Sequence, residues 1–345
     1  MPGANAGRVG GERTMARIVR FHETGGPDVL RLDEVPEVDP GHGEVRIRVE
    51  AIGLNRAEVM LREGIYHEQP VFPSRIGYEA AGVVEAVGEG VTHVKEGDRI
   101  ATVPSFALSQ TRQGVYGESA TVPAEIAKPY PAALSPSQGA SLWMAYLTAY
   151  GALVHYGKLG LDDAVIVTAA SSSVGLAAIQ IAKERGATVI ATTRTAAKRD
   201  ALLGLGADRV VATDEEDLPA RVMEITGDAG ARVIFDPIAG PLLTTLCGAC
   251  APYGTIYEYG ALYSGETVYP LMPMLAKSLT ITGYQVLDFV RDEARFGAAR
   301  DYVFAGLESG ALQPVIDREF PLEQIVAAHR HMESNTQCGK IVVTV

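Results

Sequence analysis

A short apolar strand followed by a serine-rich turn and a helix constrains the fold of this chain more than any other stretch. Residues 164–167 read AVIV, and residues 168–183 continue as TAASSSVGLAAIQIAK. A helix N-terminus favours anions through its free N–H groups and its dipole, and small side chains let a ligand approach the backbone. We therefore expect Ser172, Ser173 and Val174 to hold a dinucleotide pyrophosphate. Serine is also a preferred N-cap, so a capped core helix without a ligand is the alternative.

The end of the next predicted strand, residues 187–192, indicates which dinucleotide this would be. Folds that use NAD place an acidic residue here, on the ribose 2′-hydroxyl. This chain instead has Thr193 and Arg194, with Lys198 and Arg199 in the first turn of the next helix. Because hydroxyl and cationic groups suit a 2′-phosphate, we predict NADPH as the cofactor. The alternative is that the three cations form a solvated helix face.

The charge balance and the N-terminal segment point away from several classes of function. The net charge of −12 disfavours nucleic acid or an anionic membrane surface as a partner. No apolar run is long enough to span a bilayer. Residues 1–14 are glycine-rich and lack the apolar core of a signal peptide, so we expect a disordered extension and a cytoplasmic protein. Cys247 and Cys250 form a C-x-x-C, but without a second pair we interpret both as small core residues.

The pattern of strands and helices divides the chain into three parts. Residues 15–136 contain short strands separated by Gly and Pro turns, which predicts a β-rich body with one short helix at residues 56–62. In residues 137–276 strands and helices alternate, as a doubly wound parallel sheet requires. We expect residues 277–345 to complete the edge of that sheet and then to return to the β-rich body.

Several stretches, specific in their order and spacing, carry a resemblance to a known family. They are residues 53–66, 77–100, 143–151, 168–183, 236–240 and 339–344. From residue 15 onward the sequence resembles the zinc-independent branch of the medium-chain dehydrogenase/reductase superfamily, the quinone oxidoreductases and their enoyl-reductase relatives. The resemblance implies an α/β fold, with a Rossmann doubly wound parallel sheet that binds NADPH and a GroES-like β-rich catalytic domain.

The resemblance also implies a reaction without a metal. Zinc-dependent relatives have Cys, His and Cys at the positions occupied here by Asn55, Tyr78 and Met144, and they add a four-cysteine lobe that this sequence lacks. An amide, a phenol and a thioether do not replace those zinc ligands. The implied activity is hydride transfer from NADPH to a quinone or to an α,β-unsaturated carbonyl or enoyl acceptor.

Asn55 and Tyr66 are the catalytic candidates, because their spacing matches an Asn and a Tyr in both groups of relatives. Asn55 would bind the cofactor by orienting the nicotinamide ribose or carboxamide, and Tyr66 would donate a proton or hydrogen bond to the acceptor in the substrate pocket. Alternatively, Tyr66 is a loop tyrosine packed on the β-rich body and water protonates the product. Met60 stands where quinone reductases often have a second tyrosine, which leaves the acceptor open.

Further contacts are expected around the nicotinamide. The family has a threonine near this ring at Thr148, and it passes its backbone along the carboxamide at Gly260 and Ala261. Thr148 alternatively bonds back to a helix carbonyl. Tyr259 and Tyr263 are expected to line a pocket for flat, apolar acceptors.

Near the C-terminus, Asn335 replaces a frequent arginine and leaves Lys340 as a candidate phosphate neighbour. The family also pairs the last edge of its parallel sheet, here residues 279–283, with a two-fold mate. An exposed edge rich in Leu, Ile and Thr is a liability, so we expect a homodimer.

Two classes of function remain open at this point. One is an NADPH-dependent reductase, and the other is a non-catalytic NADPH-binding structural or regulatory protein, as some relatives are. The retained Asn55, Tyr66 and Thr148 favour chemistry.

Overall fold

The computed structural model describes residues 14–345, so residues 1–13 of the expected extension lie outside the described part. The strands are β1 (Met15–Phe21), β2 (Leu30–Pro36), β3 (Glu44–Gly53), β4 (Glu79–Val87), β5 (Arg99–Thr102), β6 (Ser119–Pro123), β7 (Ala127–Pro129), β8 (Ala164–Val167), β9 (Thr188–Thr193), β10 (Arg209–Ala212), β11 (Ala231–Asp236), β12 (Cys250–Glu258), β13 (Thr280–Gly283), β14 (Ile316–Pro321) and β15 (Lys340–Thr344). The α-helices are α1 (Arg56–Glu63), α2 (Gln110–Gln113), α3 (Pro136–Gly139), α4 (Trp143–Tyr150), α5 (Ser173–Glu184), α6 (Arg199–Gly204), α7 (Leu218–Thr226), α8 (Leu242–Ala249), α9 (Leu271–Lys277), α10 (Val286–Phe289), α11 (Glu293–Ser309) and α12 (Ile325–Glu333).

The N-terminal part folds as a β-rich body. β1 and β2 form an antiparallel pair, and a seven-stranded sheet has the order β14-β15-β3-β4-β5-β7, with β6 paired to β3. The last two strands of the chain, β14 and β15, therefore belong to this sheet. In that sheet Gly53 is the register partner of both Glu79 in β4 and Val342 in β15. This pairing brings residues far apart in sequence to the start of α1.

The central part is a six-stranded parallel sheet with the order β10-β9-β8-β11-β12-β13. β8 is almost wholly buried because helices cover both faces, which explains why it reads as an uninterrupted apolar run. The strand order reverses beside β8, and ligands of such sheets bind at the carboxyl ends of the strands at this point. The predicted α/β class, with a doubly wound parallel sheet beside a β-rich body, is confirmed.

The C-terminal segment also passes close to the first turn of the parallel sheet. The Gly339 N–H donates to the Ser171 carbonyl at 2.9 Å. The β-rich body, through the segment that leads into β15, thus meets the turn between β8 and α5. Within the described part of the chain, no helix combines the length and the apolar character needed to cross a membrane.

Candidate functional site

The turn between β8 and α5 is built as the serine-rich sequence predicts. Ser172 is the N-cap of α5, and its hydroxyl accepts the Gly175 N–H at 3.0 Å. Ser173 and Val174 are the first two residues of the helix, where backbone N–H groups have no partner inside the helix. The cap and the free N–H groups occur together, so capping and anion binding are compatible here.

Close packing and a strained residue shape this turn. Ala169 has a φ of 44°, a left-handed conformation that a residue with a side chain adopts rarely. At Gly175 an added Cβ would lie 2.6 Å from the Ala170 carbonyl oxygen, so only glycine fits there. Both features bring the first turn of α5 down onto the end of β8.

The predicted cationic residues after β9 point in different directions. Thr193 ends the strand, and Arg194 is exposed and makes no side-chain hydrogen bond or ion pair with residues 14–345. Lys198 is half-buried, which lowers the pKa of its ammonium group. Its Nζ donates to Ser171 Oγ at 2.9 Å, and to the carbonyl oxygens of Asn335 at 2.9 Å and Gln337 at 2.7 Å.

Arg199 is directed elsewhere. Its guanidinium donates to Glu216 at 2.6 Å and to the Val210 carbonyl at 2.9 Å. The expected convergence of three cations is therefore not found: within residues 14–345, Lys198 donates to three oxygens and Arg199 is paired with Glu216, and Arg194 makes no such side-chain bond.

Asn55 lies at the centre of a buried polar network, as the N-cap of α1. Its Oδ1 accepts from Lys340 Nζ at 2.7 Å, and the same ammonium donates to Glu79 Oε2 at 2.6 Å. Glu79 Oε1 in turn accepts the Met144 N–H at 2.9 Å. The Lys340 ammonium group is thus bound to Asn55 and Glu79 inside the β-rich body. This arrangement argues against the expectation that Lys340 contacts a phosphate of the cofactor.

Glu58 is the second carboxyl group of this network. It accepts the backbone N–H of Asn55, in a capping-box interaction at the start of α1, and the Tyr78 N–H at 3.2 Å. Complete burial raises the pKa of Glu58 to about 7, with Lys340 and the N–H donors opposing the rise. The group therefore titrates close to neutral pH.

Tyr66 lies beside Tyr78, in the segment that follows α1. The two rings meet edge to face, with centroids 6.5 Å apart. Burial raises the pKa of the Tyr66 phenol, and hydrogen bonding with Tyr78 opposes the rise. Tyr66 is consequently a protonated donor at neutral pH, next to the tyrosine whose backbone Glu58 binds.

Thr148 shows the back-bonded geometry. Its hydroxyl donates to the Met144 carbonyl inside α4 at 2.5 Å, and the residue is buried. Since Met144 is also tied to Glu79, α4 is fastened to the Asn55 network through its first turn. Because this bond uses the hydroxyl hydrogen, the Thr148 oxygen can only accept a hydrogen bond from a ligand.

The residues after β12 that were expected to contact the cofactor or the acceptor differ in exposure: Tyr259 is half-buried, and Gly260, Ala261 and Tyr263 are exposed. Tyr259 stacks on Phe235, with ring centroids 4.0 Å apart, and its hydroxyl is buried without a hydrogen-bond partner among the described residues. Tyr263 is exposed and packs over Gly240, where a Cβ would lie 2.4 Å from the ring. Gly260 and Ala261 are exposed at the end of the strand. The contacts of Tyr66 lead to Tyr78, not to these two tyrosines.

Sequence reasoning missed the acidic residues of the site. Glu58 could have been found, because it stands three residues after Asn55, as a capping box requires. Glu79 gives no such local signal. Asp236 and Glu258 are register partners at the ends of β11 and β12, and burial raises the pKa of both carboxyl groups. Only the parallel pairing places them side by side.

The potential metal ligands of the chain are dispersed. In residues 14–345, no three His, Cys, Asp or Glu side chains are grouped so that they could hold a metal ion. Cys247 and Cys250 are free thiols buried around α8.

Known proteins are similar to this chain over nearly its whole length. Residues 41–132 match the alcohol dehydrogenase GroES-like domain, and residues 173–299 match the zinc-binding dehydrogenase family. Quinone oxidoreductase 1 of Escherichia coli is 32% identical over 328 residues, which is 94% of this chain and 98% of that protein. The human quinone oxidoreductase is 32% identical over 335 residues, covering 96% and 98%.

The same similarity extends to solved structures. The crystal structure of Escherichia coli quinone oxidoreductase complexed with NADPH superposes with a TM-score of 0.88 at 30% identity. The alignment covers 96% of this chain and 100% of that one.

Proposed function

This chain belongs to the quinone oxidoreductase branch of the medium-chain dehydrogenase/reductase superfamily, and on that premise we propose that it is an NADPH-dependent reductase. Its acceptor is a quinone or an α,β-unsaturated carbonyl or enoyl compound, and it acts without zinc. The relative crystallised with NADPH supports the choice of cofactor.

The observation that carries the proposal is the edge of the parallel sheet where β8 and β9 end side by side. The Ala170 N–H donates to the Thr192 carbonyl at 3.4 Å, so the serine turn adjoins the start of the Thr193–Arg194 pair. A pyrophosphate at the turn and a 2′-phosphate at the pair would then belong to one molecule. The unpaired Arg194 guanidinium suits that phosphate.

Other residues fit the remaining parts of the cofactor. The backbone at Gly260 and Ala261 would contact the carboxamide, while Thr148 and Asn55 would contact the nicotinamide side. When bound, NADPH supplies the hydride. The protein's contribution is to hold donor and acceptor in a reactive geometry and to stabilise the oxygen that gains charge.

Tyr66 is the donor we assign to that oxygen. Because burial raises the pKa of its phenol, the hydroxyl remains protonated at neutral pH and donates a hydrogen bond or proton to the reduced acceptor. The half-buried ring of Tyr66, packed edge to face on the buried Tyr78, would offer an aromatic surface to a flat, apolar acceptor.

Independence from zinc rests on the chemistry of the side chains. Asn55, Tyr78 and Met144 occupy the positions of the zinc ligands of related enzymes. The Asn55 amide is engaged with Lys340, Tyr78 offers only a phenol and Met144 only a thioether, and none of these groups replaces the Cys and His ligands of zinc.

We further infer a homodimer formed along the open edge of β13. The neighbouring α9 exposes Leu271, Met272 and Leu275, each more than half accessible. An apolar surface beside an unpaired strand edge is a typical site of association.

The test is consumption of NADPH with a small panel of acceptors: a benzoquinone, a simple enone and an enoyl thioester. We expect oxidation of NADPH with at least one of them, and NADPH should bind at least about tenfold more tightly than NADH. Tight binding of NADPH with no turnover on any acceptor would favour the non-catalytic alternative. Equal affinities for both cofactors would overturn the cofactor assignment.

A further inference from the structure

The side chain of Asn55 is hydrogen-bonded to a buried ion pair formed by Lys340 and Glu79. Lys340 and Glu79 lie 2.6 Å apart between Nζ and Oε2, and their side chains are 1% and 0% exposed. The two residues begin β15 and β4, the strands on either side of β3. The third neighbour of the ammonium group is Asn55 Oδ1, at 2.7 Å.

The hydrogen bonds of Asn55 determine what its amide can offer a ligand. Nδ2 donates to the Gly53 carbonyl at 3.1 Å and to Glu58 Oε1 at 3.3 Å, which uses both of its hydrogens. Oδ1 accepts from Lys340 Nζ. The Glu58 N–H faces the Asn55 side chain in the capping-box arrangement but makes no side-chain cap hydrogen bond, and an amide oxygen accepts two, so one acceptor position is open. Toward a ligand, Asn55 can therefore only accept a hydrogen bond.

The backbone is shaped to admit the lysine. At Gly53 a Cβ would lie 2.6 Å from Lys340 Cε and 1.8 Å from the Ala140 carbonyl oxygen. A side chain at Gly53 would thus displace the ammonium group from Asn55. Moving two charges out of water is also costly, and an apolar pair of similar volume is often no less stable. Stability therefore does not explain why the ion pair is present, whereas fixing the position of the Asn55 amide does.

We propose that Lys340 and Glu79 are positioning residues that fix the Asn55 amide as an acceptor for a hydroxyl of the nicotinamide ribose. Glu79 orients the ammonium group, the ammonium group orients Oδ1, and Oδ1 receives the ribose O–H. The proposal rests on the NADPH assignment made above. It predicts that the ion pair controls affinity for the nicotinamide half of the cofactor and leaves the adenosine half unaffected.

The experiment compares two ligands, NADPH and 2′,5′-ADP, which carries the adenosine half and its 2′-phosphate but no nicotinamide ribose. Dissociation constants are measured for the wild type, Asn55→Ala, the double variant Lys340→Met/Glu79→Gln and the triple variant. The double variant removes both charges of the pair together, and the new amide side chain retains an acceptor for the Met144 N–H. Loss of Lys340 raises the pKa of the buried Glu58 further, which favours its neutral form. We expect NADPH affinity to fall about tenfold in each variant, the loss expected for one hydrogen bond, while 2′,5′-ADP affinity stays unchanged.

The triple variant decides whether the ion pair acts through Asn55. If it does, the triple variant binds NADPH no more weakly than Asn55→Ala alone, because the effects of residues in one network do not add. Losses that multiply, or a double variant with wild-type NADPH affinity, would overturn the proposal. An equal loss for both ligands would mean that the pair is only structural.

Two controls keep the outcomes distinct. Lys183→Met/Asp208→Asn removes a 2.7 Å ion pair of the parallel-sheet part, and it should change neither constant. The conservative Glu79→Asp keeps both charges and shortens the carboxylate by one methylene, so it should weaken NADPH by a smaller factor and serves if the double variant is unstable. An unchanged constant there also counts against the proposal. If the wild type binds neither ligand, the cofactor assignment itself fails.

Discussion

Replacing Arg194 with alanine tests the assignment of NADPH as the cofactor, because it removes a single charge that the 2′-phosphate would contact. The side chain is exposed, and its removal breaks no side-chain hydrogen bond or ion pair within residues 14–345. Two unit charges 4 Å apart in water interact by about 1 kcal/mol, and a phosphate carries nearly two charges. The attraction is then about 2 kcal/mol, reduced by salt to about 1–1.5 kcal/mol at physiological ionic strength. We therefore expect Arg194→Ala to weaken NADPH roughly tenfold and NADH hardly at all.

The matched control is Arg199→Ala, five positions along the chain. Its guanidinium is bound to Glu216, so its loss should leave the ratio of NADPH to NADH affinity unchanged. Fluorescence titration of both cofactors at low and at physiological salt measures the ratio, which should fall as salt rises. An equal loss of both cofactors in Arg194→Ala, or a larger change of the ratio in Arg199→Ala, would refute the reasoning.

Four further predictions concern chemistry, metal, pH and assembly. Tyr66→Phe should lower turnover of an enone or enoyl thioester about 10–1000-fold with NADPH affinity nearly intact. Turnover of a quinone should fall less, because water can protonate the reduced quinone. Loss of NADPH binding with unchanged turnover would make Tyr66 a packing residue. Elemental analysis should find no stoichiometric zinc and chelators should not change activity, and one zinc per chain would contradict this. Burial raises the pKa of the Glu58 carboxyl from 4.5 to about 7, so between these pH values the folded state binds a proton that the unfolded state has lost. The stabilisation that this proton gives the folded state is complete below pH 4.5 and is lost as pH rises to 7. Denaturant unfolding should show this loss, roughly 3 kcal/mol at most, and Glu58→Gln should flatten it; parallel pH profiles would show that Glu58 does not titrate there. Light scattering should give a dimer at micromolar concentration, and a charge at Met272 should shift it toward monomer; a wild-type protein that is wholly monomeric would disprove the interface.

Local sequence signals were sufficient for the fold class and for the conformation of the serine-rich turn. Ser172 acts as an N-cap because its hydroxyl reaches an N–H three residues away, an interaction that depends only on neighbours in the chain. The alternation of apolar strands and helices likewise predicts a parallel sheet, since each element must bury one face. The helix at residues 56–62 is found as α1, one residue longer.

Direction and partnership of side chains needed the tertiary structure. Lys198 and Arg199 are adjacent, yet one reaches the C-terminal segment and the other is captured by Glu216. No pattern within the helix distinguishes them. The difference comes from which acceptor the folded chain brings within reach of each cation.

The sequence by itself determined that this chain has a doubly wound sheet with a serine-rich turn after its first strand, and the family resemblance named Asn55 and Tyr66 as candidates. The tertiary structure decided what surrounds them. Lys340 lies 285 positions from Asn55, and it meets Asn55 and Glu79 only because β15 and β4 flank β3. Short-range signals arise from hydrogen bonds and periodicity along the chain, whereas such a network depends on sheet pairing between distant segments, which no local pattern encodes.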